Sequence, residues 1–135
     1  MRKLLIIVPF LLMAIACGRD SNIPVRNVDI DINVNLPSYQ NLNVISGWVY
    51  VTGGSRGIII YRRSETEFVA YERHSPYQPE DNCRVSVADD EITIEDECSD
   101  SKWSILDGSI INGPTSRPLL QYTTSWNEPF LRVYN

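Results

Sequence analysis

Residues 28–34 read Val-Asp-Ile-Asp-Ile-Asn-Val, an unbroken alternation of apolar and polar side chains. Successive side chains of a strand point to opposite faces, so a period of two specifies a strand with one face in a core and one in water. Nothing downstream carries a sustained helical period. Instead, short β-rich runs follow one another with turn residues between them. Trp48–Val51 and residues 57–61 are separated by Thr52-Gly53-Gly54-Ser55, a hairpin-like turn. Residues 68–71, 119–123 and 130–134 are further runs, and Ile105-Leu106 and Ile110-Ile111 flank an Asp107-Gly108 turn. Many short strands at close spacing specify an all-β fold, a sandwich or small barrel of antiparallel strands. The aromatics Trp48, Tyr61, Tyr71, Trp103, Tyr122 and Phe130 are expected in its core or at its edges.

The clearest hairpin lies in the middle of the chain. Val85 and Val87 lead up to Asp89-Asp90, and Ile92 and Ile94 lead back down. Opposed residues of an antiparallel pair share a face, which pairs Val87 with Ile92 and Val85 with Ile94. By parity, Cys83 and Cys98 then fall on the same apolar side near the open end of the hairpin.

The first residues are of another kind. Arg2 and Lys3 precede an uncharged, mostly apolar run, residues 4–15, and Ala16-Cys17 follow. Such a run suits a secretory signal, since a spanning helix needs about 20 apolar residues. The small residue before Cys17 resembles the lipobox of bacterial lipoproteins, with Ala14 where leucine is commonest. That resemblance implies removal of residues 1–16 and acylation of Cys17, with residues 17–25 as a tether and residues 26–135 as the domain. Several acyl chains, each buried methylene contributing about 0.8 kcal/mol, anchor a protein stably where one chain does not. A cleaved signal ending at Ala16 without lipid, or a retained anchor, is the alternative. Gly18 rather than aspartate after Cys17 leans toward the outer membrane, by resemblance to common sorting rules.

Without residues 1–16 the chain keeps ten of its twelve basic residues against all seventeen acidic ones, a formal net charge of −7. That argues against nucleic acid as a partner, because a phosphate backbone needs a basic stripe to neutralise it. It also argues against an anionic membrane surface, so lipid on Cys17 is the expected membrane contact. In an exported domain the remaining cysteines, Cys83 and Cys98, form a disulfide by default; two buried free thiols are the alternative.

Other chemistry is weakly represented. His74 beside Ser75 invites a base-and-nucleophile reading, but neighbours on a strand face opposite ways. Asp89, Asp90, Glu91, Glu95, Asp96, Glu97 and Asp100 could bind Ca²⁺, although their spacing matches no EF-hand loop and a solvated turn and strand edge accounts for them. No catalytic constellation is evident, and the chain reads as a non-enzyme.

The stretch Cys98-Ser-Asp-Ser-Lys-Trp-Ser-Ile-Leu-Asp-Gly, with Gly113-Pro114, Arg117-Pro118-Leu119 and Tyr122 after it, resembles the second cluster-binding loop of Rieske iron–sulfur domains. In that family the loop runs Cys-Pro-x-His-Gly-Ser-x-Phe, then a turn, a Gly-Pro corner and an aromatic strand. Ser101-Lys102-Trp103 match Ser-x-Phe, and Asp107-Gly108 the turn. Upstream, residues 58–62 and 68–71 resemble the strand pair leading into the first loop, where His74-Ser75-Pro76-Tyr77 takes the place of the family's first-loop ligands. The resemblance runs from Gly57 to Asn135. It implies a Rieske-like domain whose ligand positions are Ser75 and Tyr77 in the first loop and Asp96 and Ser99 in the second, all four substituted. A Rieske [2Fe–2S] cluster takes two thiolates and two imidazoles, and His74 is the only histidine here. No cofactor and no metal site are therefore expected. The resemblance also places Cys98 at the second-loop cysteine that many members pair across their loops, with Cys83 as its partner. Together these readings imply an exported, lipid-anchored, non-redox binding or structural module with a protein or glycan partner that the sequence does not name. The alternative is a Rieske-type electron carrier.

Overall fold

The structure is a computed structural model, described for residues 22–135. The expected signal peptide at 1–16, Cys17 and the start of the expected tether lie outside the described residues. Ten strands form two antiparallel sheets: β1 (Asp29–Asn33), β2 (Trp48–Val51), β3 (Ile58–Arg62), β4 (Phe68–Glu72), β5 (Val85–Val87), β6 (Thr93–Asp96), β7 (Lys102–Ser104), β8 (Ile110–Asn112), β9 (Gln121–Asn127) and β10 (Phe130–Tyr134). The larger sheet has the order β1-β10-β9-β4-β3-β2, and the smaller runs β5-β6-β7-β8. Two short 3₁₀ turns, Pro37–Asn43 and Pro79–Asp81, are the helical elements among the described residues. The all-β expectation holds.

Two cores explain why some strands alternate and others do not. On one face of the larger sheet, Ile58, Ile60, Phe68 and Ala70 pack with Ile32, Leu42, Leu131 and Val133. On the other face, Ile59, Tyr61, Val69 and Tyr71 pack with Val85, Ile94, Trp103 and Ile105, mostly from the smaller sheet and its turns. β3 and β4 lie between both cores, so both of their faces are apolar. β10 has one buried face and alternates, as does the stretch leading through β1. Trp48, Tyr61, Tyr71, Trp103 and Tyr122 join these cores as expected. Phe130 does not: it is half exposed at the tip of the β9–β10 hairpin.

The central hairpin is offset from its expected register. Val87 pairs with Ile94 and Val85 with Asp96, so the expected partners of Val87 and Val85 are each displaced by two residues. The cause lies in the turn. Asp90 accepts hydrogen bonds from the backbone N–H of Ile92 and Thr93 and from the Thr93 hydroxyl. The Ala88 N–H meets the Thr93 carbonyl beneath them. This side-chain-built loop draws Ile92 out of the ladder into solvent. An offset of two preserves parity, so the expected face is retained. The same register, continued two residues outward, sets Cys83 opposite Cys98, and these form a disulfide with Cα atoms 6.0 Å apart.

Candidate functional site

Beyond the open end of the β5–β6 hairpin, Ser75, Asp96 and Ser99 converge. Asp96 ends β6 with its side chain buried. Its Oδ2 accepts hydrogen bonds from Ser75 Oγ at 3.0 Å and from Ser99 Oγ at 2.8 Å. Its Oδ1 accepts from the Cys98 N–H at 3.3 Å. Both serine hydroxyls accept in turn: Ser75 from the Tyr77 N–H and Ser99 from the Ser101 N–H. One carboxylate thus ties together the segment after β4 and the β6–β7 loop. Tyr77 takes part only through its backbone, and it lines a shallow groove with Pro76, Ser116 and Arg117.

The donor set at these four positions is oxygen, and the two serine hydroxyls are already spent on Asp96. That chemistry does not fit a cluster requiring two thiolates and two imidazoles. Cys83 Sγ, Cys98 Sγ and an Asp96 oxygen do lie within 4.8 Å of one another, the one such convergence of metal-ligating side chains among the described residues. With the sulfurs bonded to each other, neither offers a thiolate. The acidic run does not converge as a hard-cation site would require. Asp90 serves its turn, Asp96 is enclosed, and Glu97 accepts from the Arg84 N–H. Hydrogen bonding to the Thr93 hydroxyl, then to the backbone, holds the Asp90 carboxyl below its ordinary pKa.

A second polar network lies at the far end of β4 from Phe68, and the sequence reading missed it. Glu72 is buried, and its carboxylate accepts four hydrogen bonds: from the backbone N–H of Ser55, Arg56 and His74, and from the Tyr122 hydroxyl at 2.6 Å. Burial, reinforced by this bond and by the Glu72 charge, raises the pKa of Tyr122. Gly54 sits above the carboxylate with φ near +60°, and a Cβ there would collide with Glu72 and Tyr122. His74 belongs to the same knot. Its Nε2 lies 2.7 Å from the Pro79 carbonyl, which can only accept, so Nε2 carries a proton. In the neutral ring Nδ1 then accepts from Ser55 Oγ at 2.9 Å. His74 therefore bonds Ser55, while Ser75 turns the opposite way to Asp96. The only sequence signal for this knot is the glycine density of Gly53-Gly54-Ser55-Arg56-Gly57.

The outer side of that glycine loop is basic. A cleft of about 410 Å³ is lined by Tyr50, the loop from Thr52 to Gly57, Arg73 and Arg84. The Arg73 guanidinium lies 3.7 Å from the centre of the Tyr50 ring, and donates to the Val85 carbonyl and to Ser86 Oγ. Burial chiefly lowers the pKa of Arg73; Tyr50 opposes this, Arg84 adds to it and Glu97 opposes it. Compared with known proteins, the chain matches no family model and no curated protein.

Proposed function

We propose that this chain is an exported lipoprotein, held through acyl groups on Cys17 to a bacterial membrane, more specifically the outer membrane. Its domain is a Rieske-like scaffold that has exchanged its cluster ligands for a hydrogen-bonded oxygen set. Its function is non-redox: a binding or structural module at the membrane face. The observation that carries this reading is the Ser75–Asp96–Ser99 knot. Three of the four positions where the resembled family holds iron meet at one buried carboxylate, with the Cys83–Cys98 disulfide beside them. A loop closed by its own hydrogen bonds and a covalent staple needs no metal to hold its shape.

The anchor rests on residues 1–17 and is tested by metabolic labelling with palmitate. The wild-type chain is expected to take up label and Cys17→Ser to lose it; label retained by Cys17→Ser would refute lipidation at this residue. The non-redox reading is tested by iron and acid-labile sulfide in the full chain after anaerobic reconstitution. Neither is expected above background. Stoichiometric amounts of both would replace this reading with electron transfer.

A further inference from the structure

We propose that the arginine-lined cleft beside the Gly53–Gly57 loop binds a phosphate-type oxyanion, the phosphomonoester group of a small ligand or of a lipid headgroup. The inference deepens the binding-module reading and rests on it, but it uses different residues from the Asp96 knot.

Composition does not account for the cleft. In a chain with seventeen acidic and twelve basic residues, three arginines line one concavity and no acidic side chain does. Nor are these charges spent internally. The Arg56 Nε is buried without a hydrogen-bond partner among the described residues. Buried donors are nearly always partnered, so an orphaned one calls for a partner of another kind. Arg84 is exposed, and its side chain makes no hydrogen bond or ion pair among the described residues, its backbone N–H alone meeting Glu97. Arg73 is fixed in place by Val85, Ser86 and Tyr50, a preformed wall rather than a mobile arm.

The neighbouring acids offset only part of this charge. Glu72 lies beneath the loop and keeps its charge, but its oxygens accept from Ser55, Arg56, His74 and Tyr122 and, among the described residues, make no ion pair with the cleft arginines. Glu97 acts on Arg73 from outside the lining. Guanidinium groups match phosphate oxygens with paired donors. Three of them present more donors than the two oxygens of a carboxylate can accept, whereas a phosphomonoester offers three terminal oxygens. The volume exceeds that of inorganic phosphate and leaves room for the alcohol moiety that carries it.

The test uses the full chain in phosphatidylcholine nanodiscs, with the arginine Nε–H signals read by NMR. Glycerol 3-phosphate is titrated into one sample, and phosphatidic acid is built into the discs of a second. A saturable shift of the Arg56 signal is expected in at least one. The first outcome assigns a soluble phosphomonoester and the second a lipid headgroup. Arg56→Gln and Arg84→Gln are each expected to weaken binding about tenfold, roughly the loss of one charge-assisted contact. Arg26→Gln, outside the cleft, is expected to leave it unchanged. Because Arg84 is exposed, its variant keeps the test valid should Arg56→Gln fold poorly. No saturable shift in either sample, or affinity untouched by Arg84→Gln, overturns the proposal. Iron content bears on the module reading separately, so the two can fail independently.

Discussion

Glu72 and Asp96 are both buried carboxylates, and they are held in different ways. Glu72 is surrounded mainly by backbone: three N–H groups and the Tyr122 hydroxyl. Asp96 is surrounded mainly by side chains: two serine hydroxyls and one longer backbone contact. A carboxylate that satisfies amides fixes the path of the chain, because those amides have no other partner once the loop has formed. One that satisfies hydroxyls reaches the backbone mostly at one remove, through Ser75 to the Tyr77 N–H and through Ser99 to the Ser101 N–H. The first arrangement makes the glycine loop a fixed wall for the arginine cleft. The second joins two loops through side chains beside the Cys83–Cys98 disulfide.

The sharpest way to break this contrast is to delete the acid that serves the backbone. Glu72→Ala leaves four donors without their acceptor, and each buried orphan costs about 1–3 kcal/mol, so a loss of about 4 kcal/mol or more is expected in urea unfolding. Gly54→Ala attacks the same knot through steric collision and a positive φ, and is expected to approach that loss. A cost below about 1 kcal/mol for Glu72→Ala would show that the loop is not anchored there.

Removing the disulfide by a Cys83→Ser, Cys98→Ser double substitution is expected to cost about 3 kcal/mol, the chain-entropy value for a closed loop of this size. Two titratable thiols in denatured, unreduced protein would contradict the pairing outright.

Asp96→Asn is expected to be milder, about 2 kcal/mol, because one amide oxygen can still accept from a serine. A loss as large as that of Glu72→Ala would erase the distinction between the two acids.

The smallest effect concerns pH. Asp90 and Asp107 are exposed, and hydrogen bonds to Thr93 and Ser109 respectively are the largest causes that hold their carboxyls below the ordinary 3.8. A lowered folded-state pKa contributes stability that is fully present above the unfolded value and is lost as pH falls through the folded one. A shallow decline in melting temperature is therefore expected below pH 3.8, and Asp90→Asn should flatten it. An unchanged acid limb in Asp90→Asn would remove Asp90 as a cause.

Much of the fold is local information. Residues 28–34 alternate because one face is wet, and Trp48–Val51 with the following run declares a hairpin around two glycines. The offset in the β5–β6 hairpin was hidden because Asp90 builds its turn from side-chain bonds, which apolar parity does not register. Ser75, Asp96 and Ser99 were legible as loop positions, but their meeting at one oxygen is a tertiary fact. Glu72 was illegible for a stronger reason. Its partners come from 55, 56, 74 and 122, and in sequence it reads only as the polar residue ending a β-run. The arginine cleft joins 56, 73 and 84 in the same way, against a background whose net charge points to the opposite sign.

The central proposal is that the Asp96 knot occupies loops of a cluster-binding scaffold from which the ligands are gone. Its most direct test measures iron and acid-labile sulfide in the wild-type chain beside a variant carrying Ser75→Cys, Tyr77→His, Asp96→Cys and Ser99→His, both reconstituted anaerobically. The expected result is background in the wild type and equal iron and sulfide in the variant, with the absorption of a [2Fe–2S] centre. Iron and sulfide in the wild type, or none in a folded variant, would contradict the account.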